Sequence, residues 1–254
     1  GDVYKRQADM MSRTQSDRMT GKNGSWHIEL DGISQETALK IAGRDDVVSI
    51  GAVTIFNPDG VLPYRMDGKR VVLYGIDESY LTMNSTGAAE GRFPQGMGEI
   101  MLSSNAARVL QVAVGDTVTL RTPSGDWDFT VSGLGGVEES YYSGQYSLMD
   151  AYLPRTAFAA LMEQNNVHNL QTSYYVQFTS ASKAAKAIPE LTAQHNLPEN
   201  AVSENTGVMA IAGQSDSSAA KNVYSLAAVL FVLVLLALSL IHISEPTRLA
   251  LISY

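Results

Sequence analysis

The chain has 254 residues, no cysteine and a net charge of −8, from 18 Lys and Arg against 26 Asp and Glu. That length allows one large domain or two small ones. The acidic balance and the lack of any basic run exclude a nucleic-acid partner, since phosphate binding needs a basic face, and without cysteine there is no disulfide framework and no thiolate zinc site.

Residues 1–24 read as a linker or helix tail. Asp2–Gln7 (DVYKRQ) resembles translated sequencing-adapter sequence and is set aside from fold reasoning. A strand is predicted over Ser25–Leu30, where Trp26, Ile28 and Leu30 alternate with His27 and Glu29. Ser34 can cap a helix over Gln35–Ala42, with Ala38, Ile41 and Ala42 on one face and Gly43 as its stop. Val47–Phe56 is a second strand, and Asn57-Pro58-Asp59-Gly60 a turn. The middle of the chain reads as mainly β. Predicted strands cover Gly68–Gly75 and Glu99–Leu102, and a short helix capped by Ser103 or Ser104 runs to Leu110. Thr117–Arg121 and Trp127–Val131 flank a Pro-Ser-Gly-Asp turn with clean alternation, which predicts an antiparallel hairpin. After a Gly, Ser and Tyr loop over 132–146, Ser147–Leu153 is a strand and Pro154–Met162 a short helix. The strand-helix pattern then recurs. Ser173–Phe178 is a strand, and Ser180 or Ser182 opens a helix whose face carries Ala184, Ile188 and Leu191. Pro189 is expected to bend that helix, Asn196-Leu197-Pro198 to end it, and Ala201-Val202 to start a last strand.

Leu226–Leu238 is thirteen consecutive apolar residues without charge, Gly or Pro. A bilayer span needs about 20, so a buried core helix is the alternative reading. The run has no polar side, which favours a transmembrane helix. Ser239–Tyr254 resembles adapter-derived sequence like the start. On that basis the natural helix continues past Leu238 and the natural protein runs on at both ends.

Most catalytic chemistry fails on spacing. His27, His168, His195 and His242 are isolated from one another and from an H-E-x-x-H pattern. There is no G-x-S-x-G elbow and no Walker-type phosphate loop. Gly133-Leu134-Gly135-Gly136 is followed by Glu138 and Glu139, which place negative charge where a phosphate would sit. Asp45-Asp46 reads as a solvated turn. No catalytic, cofactor-binding or metal-binding residues are assigned. Tyr141, Tyr142 and Tyr146 are the candidate partner contacts, because tyrosine supplies rigid area with a polar tip and sits here among flexible glycines.

The run Glu90–Leu120, EGRFPQGMGEIMLSSNAARVLQVAVGDTVTL, resembles the extracytoplasmic domain of MacB/FtsX-type bacterial ABC transporter permeases. The shared pattern is G-R, a polar loop, E-I-x-L-S, a helix ending in Leu, then G-D-x-V-x-L. Gly91, Arg92, Glu99, Ile100, Leu102, Ser103, Ala107, Leu110, Gly115, Asp116, Val118 and Leu120 carry it, and Phe129–Gly133 matches F-x-V-x-G. The resemblance implies a permease with a transmembrane helix before this domain and three more after it. It also implies a separate ATP-binding subunit, a second permease copy or domain, and an external peptide or lipid as partners. The expected fold is α+β. Residues 25–60 and 151–212 form a split ferredoxin-like α/β subdomain, 61–150 an inserted mainly-β subdomain, and 213–238 a membrane-proximal segment with the truncated transmembrane helix. The expected function is coupling of ATP hydrolysis in the partner to export or mechanotransmission, without catalysis or cofactor in this chain. Its place is the cell membrane, with the globular part extracytoplasmic. The alternative is the ligand-sensing ectodomain of a membrane-bound signalling protein, which would continue into a cytoplasmic signalling module.

Overall fold

The computed structural model describes residues 24–84, 88–135 and 148–215, and within them eleven strands join in one hydrogen-bonded sheet. In chain order the elements are β1 (Ile28–Leu30), α1 (Gln35–Ala42), β2 (Val47–Phe56), β3 (Arg65–Met66), β4 (Lys69–Ile76), α2 (Glu78–Met83), β5 (Ala88–Gly91), β6 (Glu99–Leu102) and α3 (Ser104–Leu110). They continue with β7 (Thr117–Thr122), β8 (Gly125–Gly135), β9 (Leu148–Pro154), α4 (Arg155–Gln164), β10 (Thr172–Phe178), α5 (Ala181–His195), β11 (Val202–Glu204) and α6 (Thr206–Ser215). Residues 1–209 form one compact unit and 210–254 a second, of which only 210–215 are described. No helix among the described residues is long and apolar enough to cross a membrane, and the run Leu226–Leu238 lies outside them.

The open part of the sheet has the order β11-β1-β10-β2, all neighbours antiparallel. The repeated strand-helix pattern predicts that β1, β2 and β10 share one sheet with α1 and α5 on one face, and they do. Ile28, Leu30, Ala52, Tyr174, Val176 and Phe178 meet Ala38, Ile41, Ala184, Ala187 and Leu191 in one buried core. Ser34 caps α1 by accepting from the Thr37 amide at 3.1 Å, and Ser180, of the two serines offered, caps α5 in the same way at 3.2 Å. α5 runs fifteen residues through the exposed Pro189 and ends at Asn196, where the sequence places its stop. The turn at Asp45-Asp46 is also not simply solvated. Arg44 forks onto both oxygens of Asp46 at 2.8 and 2.9 Å and reaches Glu190 of α5 at 3.0 Å, which pins the turn to that helix.

The rest of the strands close on themselves. β4 pairs with β3, then β7, β8, β6 and β9 follow, and β9 returns to β4 in parallel. The result is a small six-stranded barrel with side chains filling its interior. Period-2 alternation points Met66, Val71, Leu73, Ile100, Leu102, Val118, Leu120, Phe129, Val131, Met149, Ala151 and Leu153 inward, and Phe158, Leu161 and Met162 of α4 join the same core. On the edge that carries β3 at Lys69 and Arg70, β4 pairs further along with β2 from Leu73 to Ile76, so a single strand belongs to both the barrel and the open sheet. The expected hairpin is β7–β8, and its pairing runs to Thr122↔Gly125 around Pro123 and Ser124. A second tight hairpin joins β3 to β4 through Asp67-Gly68, both at positive φ, as a twist-matched two-residue turn requires.

α2, β3 and β5 were not legible in the sequence. α2 is six residues long, too short to show a 3.6-residue period, and it is set by the burial of Tyr80, Leu81 and Met83. β5 reads Ala-Ala-Glu-Gly, poor strand formers held in place by pairing with β8.

Candidate functional site

Tyr141, Tyr142 and Tyr146 lie outside the described residues, but their flanks do not. β6 runs parallel to β8 with Leu102 opposite Leu134, and antiparallel to β9 with Leu102 opposite Ala151. Gly135 and Leu148 therefore both lie at the carboxyl end of β6. The chain leaves the barrel at Gly135 and re-enters it at Leu148.

The same region holds the Gly-Arg…Glu element. Gly91 sits at φ +72°, and a Cβ there would lie 2.4 Å from the Ser132 carbonyl oxygen. A Cβ on Gly133 would likewise lie 2.4 Å from the Arg92 carbonyl oxygen. The two backbones cross too closely for side chains, and the Arg92 amide donates to the Ser132 carbonyl at 2.9 Å. Beyond the crossing, Arg92 forks onto Glu99, with Nη1 to Oε2 at 2.9 Å, and Glu99 also accepts from the amides of Gln95 at 2.8 Å and Gly96 at 3.2 Å. The guanidinium first, then these amides, hold the Glu99 carboxyl down at about 2. The pair closes residues 92–99 into a loop on which Met97 is exposed. So held, the carboxylate stays ionised near neutral pH.

On the sheet face opposite α1 and α5 lies a layer that sequence reasoning missed. Tyr175 donates to Glu29 at 2.7 Å, and its ring meets Trp26 edge-on at 4.9 Å and Tyr80 at 5.0 Å. Tyr74 and Tyr152 stack at 4.9 Å beside the buried Asp150. Burial raises Glu29 above its usual range and raises Tyr74, Tyr80 and Tyr175 further above theirs. Cross-strand register brings these groups together, and register is not written in the local sequence.

The histidines do not converge. His27 is buried, and its Nδ1 accepts from the Phe178 amide at 3.1 Å. Burial lowers its pKa, which keeps that nitrogen an acceptor. His168 lies on the surface 3.8 Å from Glu163, His195 ends α5, and His242 is outside the described residues. Among the described residues no three of His, Asp or Glu group so as to hold a metal. A cleft of about 560 Å³ runs beside α4, with Arg155 3.7 Å from Asp77 at its rim. Asp77 is occupied structurally, since it accepts from the Ala52 amide at 3.1 Å.

The fold as a whole has a counterpart among solved structures, and the sequence matches a known family. The sequence model of the MacB-like periplasmic core domain matches residues 5–194. The chain belongs to that family. The periplasmic region of MacB from Actinobacillus actinomycetemcomitans has a similar fold, with a TM-score of 0.52 at 14% identity over 72% of this chain and 91% of that one. A permease-protein domain from Porphyromonas gingivalis gives 0.45 at 15% identity over 68% and 85%. No curated protein sequence matches. The MacB-like domain described here is thus the extracytoplasmic domain of an ABC transporter permease, with a mixed α/β fold. Its G-R…E-I-x-L-S signature is the Arg92–Glu99 clamp, strand β6 and the Ser103 cap, a signature of folding.

Proposed function

We propose that this domain couples ATP hydrolysis in a separate ATP-binding subunit to export or mechanotransmission across a membrane. The family match over residues 5–194 carries the reading. Leu226–Leu238 is the membrane tether, and the globular part stands outside the cytoplasm of a membrane-bound assembly that includes a second permease copy or domain. The domain itself carries no catalysis and works by association, with an external peptide or lipid among its ligands. Residues 25–60 and 151–212 act as a split ferredoxin-like subdomain, and 61–150 as its β-rich insertion. The order β11-β1-β10-β2, with α1 and α5 on one face, supports the first part. Closure of β3, β6, β7 and β8 onto β4 and β9 supports the second, with β9 and α4 carrying the barrel core past residue 150.

Tyr141, Tyr142 and Tyr146 are proposed as partner contacts, because segment 136–147 is held at both flanks by the rigid barrel. The test is the complete permease gene co-expressed with its ATPase. Alanine at all three tyrosines is expected to impair export or resistance while ATPase assembly persists. Unchanged activity removes the segment from consideration. Turnover of a substrate by the isolated chain overturns the non-catalytic reading.

A further inference from the structure

We propose that the outer barrel face at Arg65, Arg70 and Arg121 is a docking surface for an acidic segment of a partner protein. The docking face rests on strand register, and the choice of a protein over a membrane surface rests on the membrane tether proposed above. Arg65 of β3 is directly opposite Arg70 of β4 on one side and Arg121 of β7 on the other. Their neighbours Met66, Val71 and Leu120 point into the barrel, so all three arginines point outward. Strands lie about 4.8 Å apart, which sets three guanidinium-bearing positions in a row about 10 Å long. Like charges directly opposite one another oppose strand pairing. In a chain of net charge −8, three cations in one row run against the overall charge balance.

The arginines are only partly neutralised. Arg121 lies 3.5 Å from Asp126, an exposed pair. Arg65 uses one nitrogen on the carbonyls of Leu62 and Tyr64. Arg70 is exposed and has no ion-pair partner among the described residues. Lys69 adds a further exposed cation at the turn, against the carboxylates of Asp67 beside it and of Asp59, next to the Gly60 that packs on Arg70. Apolar surface flanks the row. Leu62 is exposed on one side, and on the other Leu110 and Val112 line a hollow of about 400 Å³ together with Arg65 and Arg121. Arginines bordered by apolar contacts are the usual anatomy of a protein interface.

Position favours a protein over lipid headgroups. The described sheet begins at Trp26–His27 and ends at Asn205, beside Phe178 and the start of β2. β2 runs away from that end to Phe56, which is opposite Leu73, and β4 extends three residues further to Arg70. At about 3.3 Å per residue the row lies about 40 Å from the point where the chain enters and leaves.

The probe is a fluorescein-labelled peptide alternating Glu and Leu, titrated with the full 254-residue chain by anisotropy. Its Lys/Leu counterpart and phosphatidylglycerol vesicles form the other arms. The acidic peptide is expected to bind, weakening steeply with salt. Substituting Arg70→Glu with Arg121→Glu should weaken it at least about tenfold, and the gentler Arg70→Gln with Arg121→Gln pair should show the same direction with an unchanged melting temperature. Failure of the acidic peptide to bind overturns the proposal. So does equal affinity for the Lys/Leu peptide, preference for the vesicles, or unchanged affinity in the folded glutamine variant.

Discussion

Replacing Gly51 by alanine tests how α2 is seated on the sheet. A Cβ at Gly51 would lie 2.3 Å from the Tyr80 nitrogen and 2.5 Å from the Tyr80 Cα, with Met83 Cε at 2.9 Å. The atoms struck first are helix backbone, which cannot rotate away. The helix has to retreat by roughly 1 Å to regain ordinary contact near 3.5 Å. It is clamped on either side of Gly51. Ser79 Oγ donates to the Ile50 carbonyl at 2.8 Å, and Asp77 exchanges hydrogen bonds with Ala52 at 3.1 Å. Overpacking costs about 1–3 kcal/mol, and loosening the Ser79 bond adds about 1 kcal/mol. Alanine's smaller unfolded-state entropy returns at most about 1 kcal/mol, since Gly51 does not need positive φ. With that full return the net is a loss of about 1–3 kcal/mol. At about 2–4 °C per kcal/mol for a chain of this size, the melting temperature falls by about 2–12 °C. Thermal melting by circular dichroism measures the fall. The near-ultraviolet signal of Trp26, Tyr80 and Tyr175 should change with it, because α2 carries Tyr80. Gly98→Ala is the control, since nothing lies within 4 Å of a Cβ there, and it is expected to be neutral or slightly stabilising. A Gly51→Ala melting temperature within about 2 °C of the parent would refute the argument that backbone contact fixes this glycine.

Ser103→Ala should lower stability by about 1 kcal/mol in chemical denaturation, because its hydroxyl accepts from the Ala106 amide at 3.1 Å, whereas the exposed Ser104→Ala should change it by less than about 0.5 kcal/mol. Equal losses would deny Ser103 the cap. His27, with its pKa lowered on folding, binds fewer protons folded than unfolded; its contribution is complete above the unfolded value of 6.5 and is lost as pH falls below it. His27→Asn, which keeps an acceptor, should therefore flatten the loss of stability between pH 7.5 and 5.5, and parallel pH profiles would remove His27 as a source. Glu99, held at about 2, contributes stability present above 4.5 and lost as pH falls through about 2. Arg92→Gln should raise the Glu99 value measured by carboxyl NMR titration, and an unmoved titration would show that the two amides suffice.

The sequence was most readable where one element satisfies itself. Ser34, Gly43 and the buried stripe of Ala38 and Ile41 mark α1 at both ends and on its inner face. The alternation of Val118 and Leu120 against Phe129 and Val131 marks β7 and β8. Chain-local signals fail where pairing is remote. Barrel closure depends on β4 meeting β9 in parallel across more than seventy residues of chain, with Val71 opposite Met149 and Leu73 opposite Ala151. The Arg65, Arg70 and Arg121 row likewise exists only through register. Each arginine by itself reads as an ordinary surface residue, as Glu29 and Tyr175 do until β1 and β10 align. Arg92 and Glu99 were visible as motif letters, but that they bond to each other follows only from the Gly91–Gly133 backbone crossing.

The edge formed by β1 and β11 sets how this domain bears a pulling force. His27 and Asn205 sit side by side at one end of a ladder of three residue pairs, fastened by the Asn205 amide on the His27 carbonyl and the Asn205 side chain on the Trp26 carbonyl, both at 2.9 Å. Tension drawing these two points apart does not shear the ladder along its length. It peels the ladder rung by rung, first the Asn205 fastenings, then Ile28 from Glu204, each step resisted by only about 1 kcal/mol. The barrel, separated from this edge by β10 and β2, carries almost none of the load. Under such a load the β1–β11 edge therefore yields before the barrel does, like a solid body hung on a zip.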